Sequence, residues 1–204
     1  MRIFFPLRNN RVTEFMISAT FSRVCTRIIL KNFLDVGDKD KERIYLEVRK
    51  MNPLSTDPNI TSKESVLVVD DEAGPRESLR MILKSRYEVH TASDGQEALS
   101  LIQNKDFNVV TLDLNMPGLS SMEVLKEIRK LKPDTEVVII TGYGTLTNAQ
   151  KAMHFGAGDF ISKPFNVEDI TSIVANSFER RRYYLKIKNL LIKAINSSHL
   201  SEIM

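Results

Sequence analysis

One aspartate, Asp113, ends an apolar run and is followed closely by a Met-Pro-Gly turn. The whole stretch, residues 107–118, reads Phe-Asn-Val-Val-Thr-Leu-Asp-Leu-Asn-Met-Pro-Gly. A buried strand that leads into a loop gives a carboxylate both rigidity and access to solvent. An acid at a strand end is also commonly a turn or helix-cap residue. The role of Asp113 therefore depends on which other polar residues come to lie beside it.

Four more polar side chains directly follow apolar runs: Asp70, Asp71, Thr141 and Lys163. Two carboxylates about 4 Å apart repel by about 4 kcal/mol at an effective dielectric constant near 20, so a cation must accompany them. A cluster of carboxylate oxygens suits a hard ion such as Mg²⁺. A lysine and a hydroxyl opposite the acids complete a pocket for a phosphoryl group. Asp113, alone on its strand, is the natural nucleophile.

Five strand patterns alternate with five helix patterns between residues 63 and 180. The strands are predicted at 66–69, 87–92, 107–112, 137–140 and 159–162. The helices are predicted to begin at Gly74-Pro75, after the cap Asp94, after Ser120 or Ser121, at Thr147, and after the cap Asn166. Short connections and right-handed crossovers favour one parallel sheet with helices on both faces. The polar side chains then fall at the carboxyl ends of strands, where open α/β sheets place their sites.

Residues 65 to about 180 resemble a response-regulator receiver domain of two-component signalling. Four motifs carry the resemblance in the family's order and spacing: Val-Leu-Val-Val-Asp-Asp-Glu at 66–72, Leu-Asp-Leu-Asn-Met-Pro-Gly at 112–118, Ile-Thr-Gly at 140–142 and Lys-Pro-Phe at 163–165. The resemblance covers somewhat over half of the chain. It implies an α/β, flavodoxin-like (βα)5 fold, in which a doubly wound, five-stranded parallel sheet has the order 2-1-3-4-5.

The resemblance also implies a chemistry. Asp113 would accept a phosphoryl group from a histidine kinase or a phosphotransfer protein, in a reaction that depends on Mg²⁺. Asp71 would bind the ion directly and Asp70 mainly through water, and Asp113 would be a further ligand. The main-chain carbonyl of Asn115 would be the third protein ligand.

Thr141 and Lys163 would bind the phosphoryl oxygens in such a protein. Phe160, three residues before Lys163, holds the position of the family's switch aromatic but lacks the hydroxyl of the commoner tyrosine. The alternative is that Phe160 is simply a core residue. If it does switch, phosphorylation would shift the 141–162 surface between two existing states and so signal to an output domain or a protein partner.

Charge divides the chain into three segments. Residues 1–62 carry a net charge of +4, residues 63–180 carry −5, and residues 181–204 carry +4. We interpret them as an N-terminal extension of unknown role that is partly disordered, a receiver domain, and a basic helical tail or linker. The basic ends are interpreted as solvated charge, because no recognition fold accompanies them that would favour contact with nucleic acid.

The N-terminal extension carries no motif that we recognise. Apolar residues between 12 and 28 fall at helical spacing, and residues 42–49 fit either a strand or a short helix. Met51 opens a polar arm, so the first 50 residues are predicted to be dispensable for folding. The chain has no run of membrane-spanning length, and a single cysteine, Cys25, forms no intramolecular disulfide. We therefore expect a cytoplasmic protein that does not enter a membrane.

The residues from Val167 to about Ile195 can form one long helix, because they contain neither proline nor glycine. Its first half is predicted to pack on the sheet through apolar residues, namely Ile170, Ile173, Val174 and Phe178. A seven-residue spacing then runs through Phe178, Leu185, Ile192 and His199, with Leu191 and Ile195 beside them. This spacing is typical of a coiled coil but too short to establish one. A homodimer through residues 141–195 is a possible assembly.

A Mg²⁺-dependent phosphohydrolase of the haloacid-dehalogenase type is the alternative function, since it too uses an aspartate nucleophile. That family places its nucleophile after strand one, with a second acid two residues later. Here the acids after strand one, Asp70 and Asp71, are adjacent, and the lone acid follows strand three. The sequence therefore favours a phosphoacceptor over an enzyme. A purely structural module is disfavoured by the presence of all five site residues.

Overall fold

A computed structural model describes residues 64–142 and 146–201, together with Lys41, Glu42, Ile44 and Leu46. The described strands form one parallel sheet in the order β2-β1-β3-β4-β5, which confirms the predicted flavodoxin-like topology. The strands are β1 (Ser65–Val69), β2 (Glu88–Ala92), β3 (Val109–Asp113), β4 (Glu136–Thr141) and β5 (Asp159–Ser162). The helices are α1 (Ala73–Leu83), α2 (Gly95–Asn104), α3 (Ser121–Leu131), α4 (Leu146–His154) and α5 (Val167–Ser201).

The three inner strands β1, β3 and β4 are buried at every position. Their continuous apolar, β-branched sequences are what a strand covered on both faces requires. The edge strands β2 and β5 are partly exposed. In the register, Val69 pairs with Leu112 and Asp113 pairs with Ile140, so the carboxyl ends of the inner strands lie together.

Alternate residues of each strand feed two separate cores, one on each face of the sheet. One core holds Leu67 and Val110 together with residues of α2, α3 and α4. The other holds Val66 and Val138 together with residues of α1 and α5. Since neither face is left open to solvent in the described part of the chain, the sheet is a rigid platform and its carboxyl edge is the accessible side.

Two helix caps that the sequence predicts are confirmed. The Asp94 side chain accepts a hydrogen bond from the Glu97 amide, with an N–O distance of 2.9 Å. The Asn166 side chain accepts one from the Asp169 amide at 2.7 Å. Ser120 is the N-cap residue of α3, although its side chain makes no capping hydrogen bond. The predicted strand and helix limits agree with the observed ones to within about two residues, as is usual for such boundaries, except that α5 ends at Ser201 and not near Ile195.

Helix α5 is a single helix of 35 residues. Ile170, Val174 and Phe178 are buried against the sheet, as predicted. Beyond Phe178, the buried positions are Tyr184, Ile187, Leu191 and Ala194, which we call the distal seam. The predicted spacing through Leu185 and Ile192 is offset by one position from the distal seam, since Ile192 is 43% exposed, whereas Leu191, predicted to lie beside it, is buried. The reason is that the Phe178 ring stacks on Tyr87 of the receiver core, with ring centroids 4.5 Å apart, and does not belong to the seam.

Charged residues attach α5 to the amino-terminal edge of the sheet. Arg180 Nη1 lies 3.2 Å from Asp159 Oδ2, and its Nε lies 3.7 Å from Glu136 Oε2. Lys188 Nζ donates to both carboxylate oxygens of Asp134, at 2.8 and 2.7 Å. We call these contacts of Arg180 and Lys188 the ion clasp.

Two further arginines of α5 make similar contacts. Arg181 Nε donates to the Asp134 carbonyl at 2.9 Å, and Arg182 lies 3.7 Å from a Glu64 carboxylate oxygen. The interpretation of the basic tail as solvated charge is therefore wrong for Arg181, Arg182 and Lys188, which are half-buried and paired with acids or carbonyls.

The four described residues before Glu64 are helical, so of the two alternatives for this stretch the helix is the observed one at these positions. Ile44 is only 2% exposed and packs in the same apolar cluster as the distal seam. The helical spacing between residues 12 and 28 and the polar arm after Met51 lie outside the described residues. Within the described part of the chain, no helix combines the length and apolar character needed to cross a membrane.

Candidate functional site

Four of the polar side chains identified in the sequence meet at the carboxyl edge of the sheet. Asp70 follows the last residue of β1, Asp113 ends β3, Thr141 ends β4, and Lys163 follows the last residue of β5. The Lys163 amide donates to the Thr141 carbonyl at 2.8 Å, which continues the pairing of β4 with β5 beyond the strands. The sheet register alone therefore brings these residues together.

Lys163 joins the two buried carboxylates of the site. Its Nζ donates to Asp113 Oδ2 at 2.6 Å and to Asp70 Oδ2 at 2.8 Å. Asp70 is 1% exposed and Asp113 is 2% exposed. Such a pair of buried acids is stable only when a cation compensates their charge, and here the ammonium group does so.

The pKa of Lys163 reflects this compensation. Burial on its own lowers the pKa of the ammonium group, but the hydrogen bonds to Asp113 and Asp70, with the negative charge of both, outweigh that effect. The net result is a pKa above the usual lysine value. Lys163 therefore carries its positive charge throughout the neutral pH range.

The backbone holds the other oxygen of each carboxylate. The Glu72 amide donates to Asp70 Oδ1 at 2.9 Å, and the Asn115 amide lies 3.2 Å from Asp113 Oδ1. Arg76 Nη1 donates to the carbonyl of Asp70 at 2.6 Å and so fixes the loop between β1 and α1. The orientation of both acids is thus set before any ligand binds.

Three carboxylates form a cluster that could hold a metal ion. Oxygens of Asp70, Glu72 and Asp113 lie within 4.8 Å of one another. Lys163 Nζ is 3.9 Å from Glu72 Oε1, so one ammonium group faces three acids. The donor set is all oxygen and carries excess negative charge, which fits a hard divalent cation.

Glu72 is the acid that sequence reasoning missed. Asp71, identified in the sequence as a direct ligand, is half-exposed and lies outside the carboxylate cluster, so its role remains a prediction. Both residues belong to the acidic triplet 70–72, so the triplet was the available signal. Which of the two carboxylates reaches the cluster depends on the loop conformation, and the resemblance carried over only the first two acids.

Thr141 brings an unpaired hydroxyl to the same site. The residue is 1% exposed, and among the described residues its Oγ1 has no hydrogen-bond partner. A buried hydroxyl without a partner costs about 1–3 kcal/mol, so a ligand that supplies the partner recovers that energy. Residues 143–145, which follow Thr141, lie outside the described part of the chain.

Phe160 lies on the edge strand β5 and is 44% exposed. The alternative that it is simply a core residue is therefore wrong. Its neighbour in the sheet is Ile139, which is fully buried. An exposed aromatic side chain next to a buried strand has room to change its position, but the switch itself remains a prediction.

Comparison with known proteins gives a consistent result. The family model of the response regulator receiver domain matches residues 66–175, which is more than half of the chain. The probable transcriptional regulator ycf27 of Guillardia theta is 38% identical over 150 residues, covering 71% of this chain and 53% of that protein. The transcriptional regulatory protein FixJ of Bradyrhizobium diazoefficiens is 33% identical over 122 residues, covering 59% of this chain and 60% of that protein.

A solved structure extends the likeness to the fold. The CheY-like response regulator receiver domain protein from Methanospirillum hungatei matches with a TM-score of 0.58 and 30% identity. The match covers 59% of this chain and 98% of that one. The chain thus matches the whole of a single receiver domain, whereas it spans about half the length of the curated relatives.

Proposed function

The chain belongs to the response regulator receiver family, and from this premise we propose that it accepts a phosphoryl group on Asp113 in a two-component phosphorelay. The observation that carries the proposal is the arrangement at the carboxyl edge of the sheet. A buried carboxylate, Asp113, shares an ammonium group with a second buried acid, and an unpaired hydroxyl lies on the neighbouring strand. The donor would be the phosphohistidine of a histidine kinase or of a phosphotransfer protein.

The chemistry is a displacement at phosphorus. An oxygen of the Asp113 carboxylate forms the new P–O bond, while the P–N bond of the phosphohistidine breaks and its electron pair stays on the imidazole nitrogen. Lys163 moves its ammonium group from the Asp113 oxygen to a phosphoryl oxygen, where it stabilises the developing charge. Thr141 donates its free hydroxyl to another phosphoryl oxygen.

The carboxylates fit a Mg²⁺ ion, and we propose that Asp70 and Asp113 hold it with Glu72 or Asp71 and with the main-chain carbonyl of Asn115. When bound, the ion neutralises negative charge on the phosphoryl oxygens. The chain itself orients the carboxylates. Backbone amides keep the two buried acids oriented.

We propose that phosphorylation is read out on the 141–162 surface. The new group adds a charge of about −1.5 to −2, which attracts the Thr141 hydroxyl and the loop after it. Phe160 would then turn inward from its exposed position. An output domain or a protein partner in the cytoplasm would recognise the changed surface. NMR shifts over 141–162 that stay constant when a beryllofluoride mimic and Mg²⁺ are added would contradict this readout.

The test of the phosphoacceptor is incubation with acetyl phosphate and Mg²⁺, followed by intact mass measurement. The unaltered chain should gain a single adduct of roughly 80 Da, one phosphoryl group. Asp113→Asn should gain none. Asp106→Asn, which changes an exposed acid on the surface, is the matched control and should be modified like the unaltered chain. An unmodified wild-type mass, or an adduct that persists in Asp113→Asn, would refute the assignment.

The phosphohydrolase alternative is not favoured, because the matching family model and the matching structure from Methanospirillum hungatei are both response regulator receiver domains. We propose that the chain has no turnover beyond its own phosphorylation and dephosphorylation. Hydrolysis of a small phosphomonoester at about 1 s⁻¹ or faster, within the usual range for enzymes, would revive the alternative.

A further inference from the structure

Arg76, near the start of α1, forms hydrogen bonds with the backbone of all three acids in the triplet 70–72. Its Nη1 donates to the Asp70 carbonyl at 2.6 Å and to the Asp71 carbonyl at 3.2 Å. Its own amide donates to the Glu72 carbonyl at 3.1 Å. One residue therefore holds three consecutive carbonyls of the loop between β1 and α1.

The side chain of Arg76 contacts neutral carbonyls, although it lies beside the acidic triplet. Among the described residues, its guanidinium forms no ion pair with a carboxylate. Lys163, by contrast, donates to the carboxylates of Asp70 and Asp113. Lys163 therefore compensates the charge of the acids, whereas Arg76 holds the backbone of the loop that carries two of the clustered carboxylates.

Glu72 shows what this loop conformation achieves. The residue is the N-cap of α1, a position whose side chain commonly accepts a hydrogen bond from the first helical turn, yet its side chain makes none. Its carboxylate instead lies 3.9 Å from Lys163 Nζ and joins the cluster with Asp70 and Asp113. The Glu72 amide binds Asp70 Oδ1 at 2.9 Å. The loop that Arg76 holds thus brings its carboxylates to the cluster and not to the end of the helix.

We propose that Arg76 is a positioning residue of the metal site, which keeps the acidic loop in the conformation that binds a divalent cation. The inference rests on the metal site of the proposed function. Residues that orient metal ligands without touching the ion typically contribute about 10–100-fold to its affinity. Charge alone has the opposite effect, because a positive charge beside a divalent cation weakens its binding. The direction of the change on removing Arg76 therefore distinguishes a positioning role from a purely electrostatic one.

The test is a calorimetric Mg²⁺ titration of the full-length chain and of its variants. Arg76→Met removes the charge and the side-chain hydrogen bonds, so Mg²⁺ should bind about tenfold more weakly. Arg76→Lys should restore part of the affinity, because its ammonium group can still donate to a carbonyl. Arg80→Met is the matched control, since Arg80 lies one turn later on α1 and pairs with Glu77. It should leave the Mg²⁺ affinity unchanged.

The rate of phosphorylation by acetyl phosphate provides a second measurement. In Arg76→Met, the Mg²⁺ concentration that gives half of the maximal rate should rise about tenfold, while the rate at saturating Mg²⁺ should change by less than about twofold. The reason is that Arg76 acts on the loop and not on the residues proposed to bind the phosphoryl group. A residue that only stabilised the fold would leave the half-saturating concentration unchanged.

Unchanged or tighter Mg²⁺ binding by Arg76→Met, or equal weakening by Arg80→Met, would overturn the inference and leave the phosphoacceptor proposal standing. An unaltered chain that binds no Mg²⁺ would refute the metal site, and the inference with it. Urea unfolding without Mg²⁺ should show that each variant is folded. If Arg76→Met does not fold, Arg76→Gln, which is also neutral, replaces it: weaker Mg²⁺ binding supports a positioning role, and equal or tighter binding overturns it.

Discussion

At the residue scale, Lys163 is the cation on which the two buried acids of the site depend. It donates hydrogen bonds to Oδ2 of Asp70 and Oδ2 of Asp113, and both residues belong to the carboxylate cluster. A metal ion that enters the cluster is expected to compete with the ammonium group for these two carboxylates. Lys163 therefore both compensates the charge of the two acids and competes with a metal ion for them.

This double role predicts the behaviour of Lys163→Met. Without the ammonium group, two buried carboxylates lack their partner, and the metal-free protein should lose about 3 kcal/mol of unfolding free energy. Mg²⁺ should bind about tenfold more tightly, because its competitor is gone and the charge of the acids is uncompensated. Denaturant unfolding with and without Mg²⁺, together with a calorimetric Mg²⁺ titration, measures both effects.

Lys105→Met is the matched control, since Lys105 is a half-exposed lysine that contacts Glu88 and His90 rather than the acids of the site. It should leave the Mg²⁺ affinity unchanged. Weaker Mg²⁺ binding by Lys163→Met, or an unaltered stability without the ion, would show that the lysine does not compete for these oxygens.

A second prediction concerns Glu88 at the start of β2. Its carboxylate accepts hydrogen bonds from Lys105 at 2.6 Å and interacts with His90 at 2.9 Å, and these contacts lower its pKa to about 2. The folded-state pKa is below the unfolded one, so this contribution to stability is present above pH 4.5 and is lost as the pH falls toward 2. Lys105→Met should raise the Glu88 pKa toward its ordinary value, as measured by NMR titration of the side-chain carboxyl carbon. A wild-type midpoint near 4.5 would contradict the contact.

The sequence was sufficient to identify most of the site at this scale. Asp70, Asp113, Thr141 and Lys163 each end or follow an apolar run, and parallel pairing is enough to bring such residues to one edge. The sequence was not sufficient to distinguish Glu72 from Asp71. Adjacent side chains in a loop point in different directions. Which carboxylate reaches the cluster depends on the loop conformation, which Arg76 fixes by hydrogen bonds to the carbonyls of Asp70 and Asp71, six and five residues earlier in the chain.

At the scale of the elements, the attachment of α5 to the sheet depends on a buried acid. Glu136 is 4% exposed at the start of β4, and Arg180 faces it. Burial raises the pKa of Glu136, and the positive charges of Arg129 and Arg180 oppose that rise. The ion pair between Arg180 and Glu136 therefore contributes to the stability with which α5 is attached to the sheet at neutral pH.

Arg180→Met tests the clasp. Removing one partner of a buried ion pair costs about 3 kcal/mol, so the unfolding free energy at pH 7 should fall by about that amount. Because the folded-state pKa of Glu136 is raised, this residue contributes stability at pH values below its unfolded-state pKa. That contribution is lost as the pH rises through the folded-state pKa. The substitution raises this pKa further, so its cost should be smaller near pH 5 than at pH 7. Urea unfolding at the two pH values measures the difference.

Adding Glu136→Gln to Arg180→Met provides the control. The amide carries no charge, so the double variant should recover part of the lost stability at pH 7 and lose the pH dependence. An equal cost at both pH values, with no recovery in the double variant, would mean that Arg180 acts through packing of its aliphatic part alone.

Local sequence signals predicted the elements but not the register of the distal helix. Asp94 and Asn166 could be identified as caps because a cap needs only its own helix. The position of the seam could not, because the orientation of α5 is fixed by the stacking of Phe178 on Tyr87, a residue 91 positions earlier in the chain. When such a contact rotates a helix by one residue, every later side chain of that helix faces a different direction.

At the scale of the whole molecule, the receiver and the distal seam are separate apolar clusters. The two cores that flank the sheet share no described residue with the cluster around Ile44. The sequence predicts the receiver at residues 63–180, since its motifs lie within these limits. The cover on the distal seam could not be predicted, because the contact of Ile44 with α5 joins positions at least 140 residues apart, for which no local pattern exists.

This separation predicts the result of starting the chain at Met51. Amides of β1 and β3 should keep their hydrogen-exchange protection, because both cores of the sheet remain intact. Amides between Tyr184 and Ala194 should exchange faster, because the contact of Ile44 with the distal seam is lost. Hydrogen exchange followed by mass spectrometry distinguishes the two regions. Loss of protection in β1 and β3 would show that the first 50 residues are needed to fold the receiver, contrary to the prediction from the sequence.

The ion clasp gives α5 the mechanics of a lever. Lys188 is the last residue that the clasp holds, and the helix continues without interruption to Ser201. At 1.5 Å per residue, the arm beyond Lys188 is about 20 Å long. A tilt of about 5° at the clasp would therefore move the end of the helix by about 2 Å. A displacement that is small at the sheet would thus be larger at the end of α5.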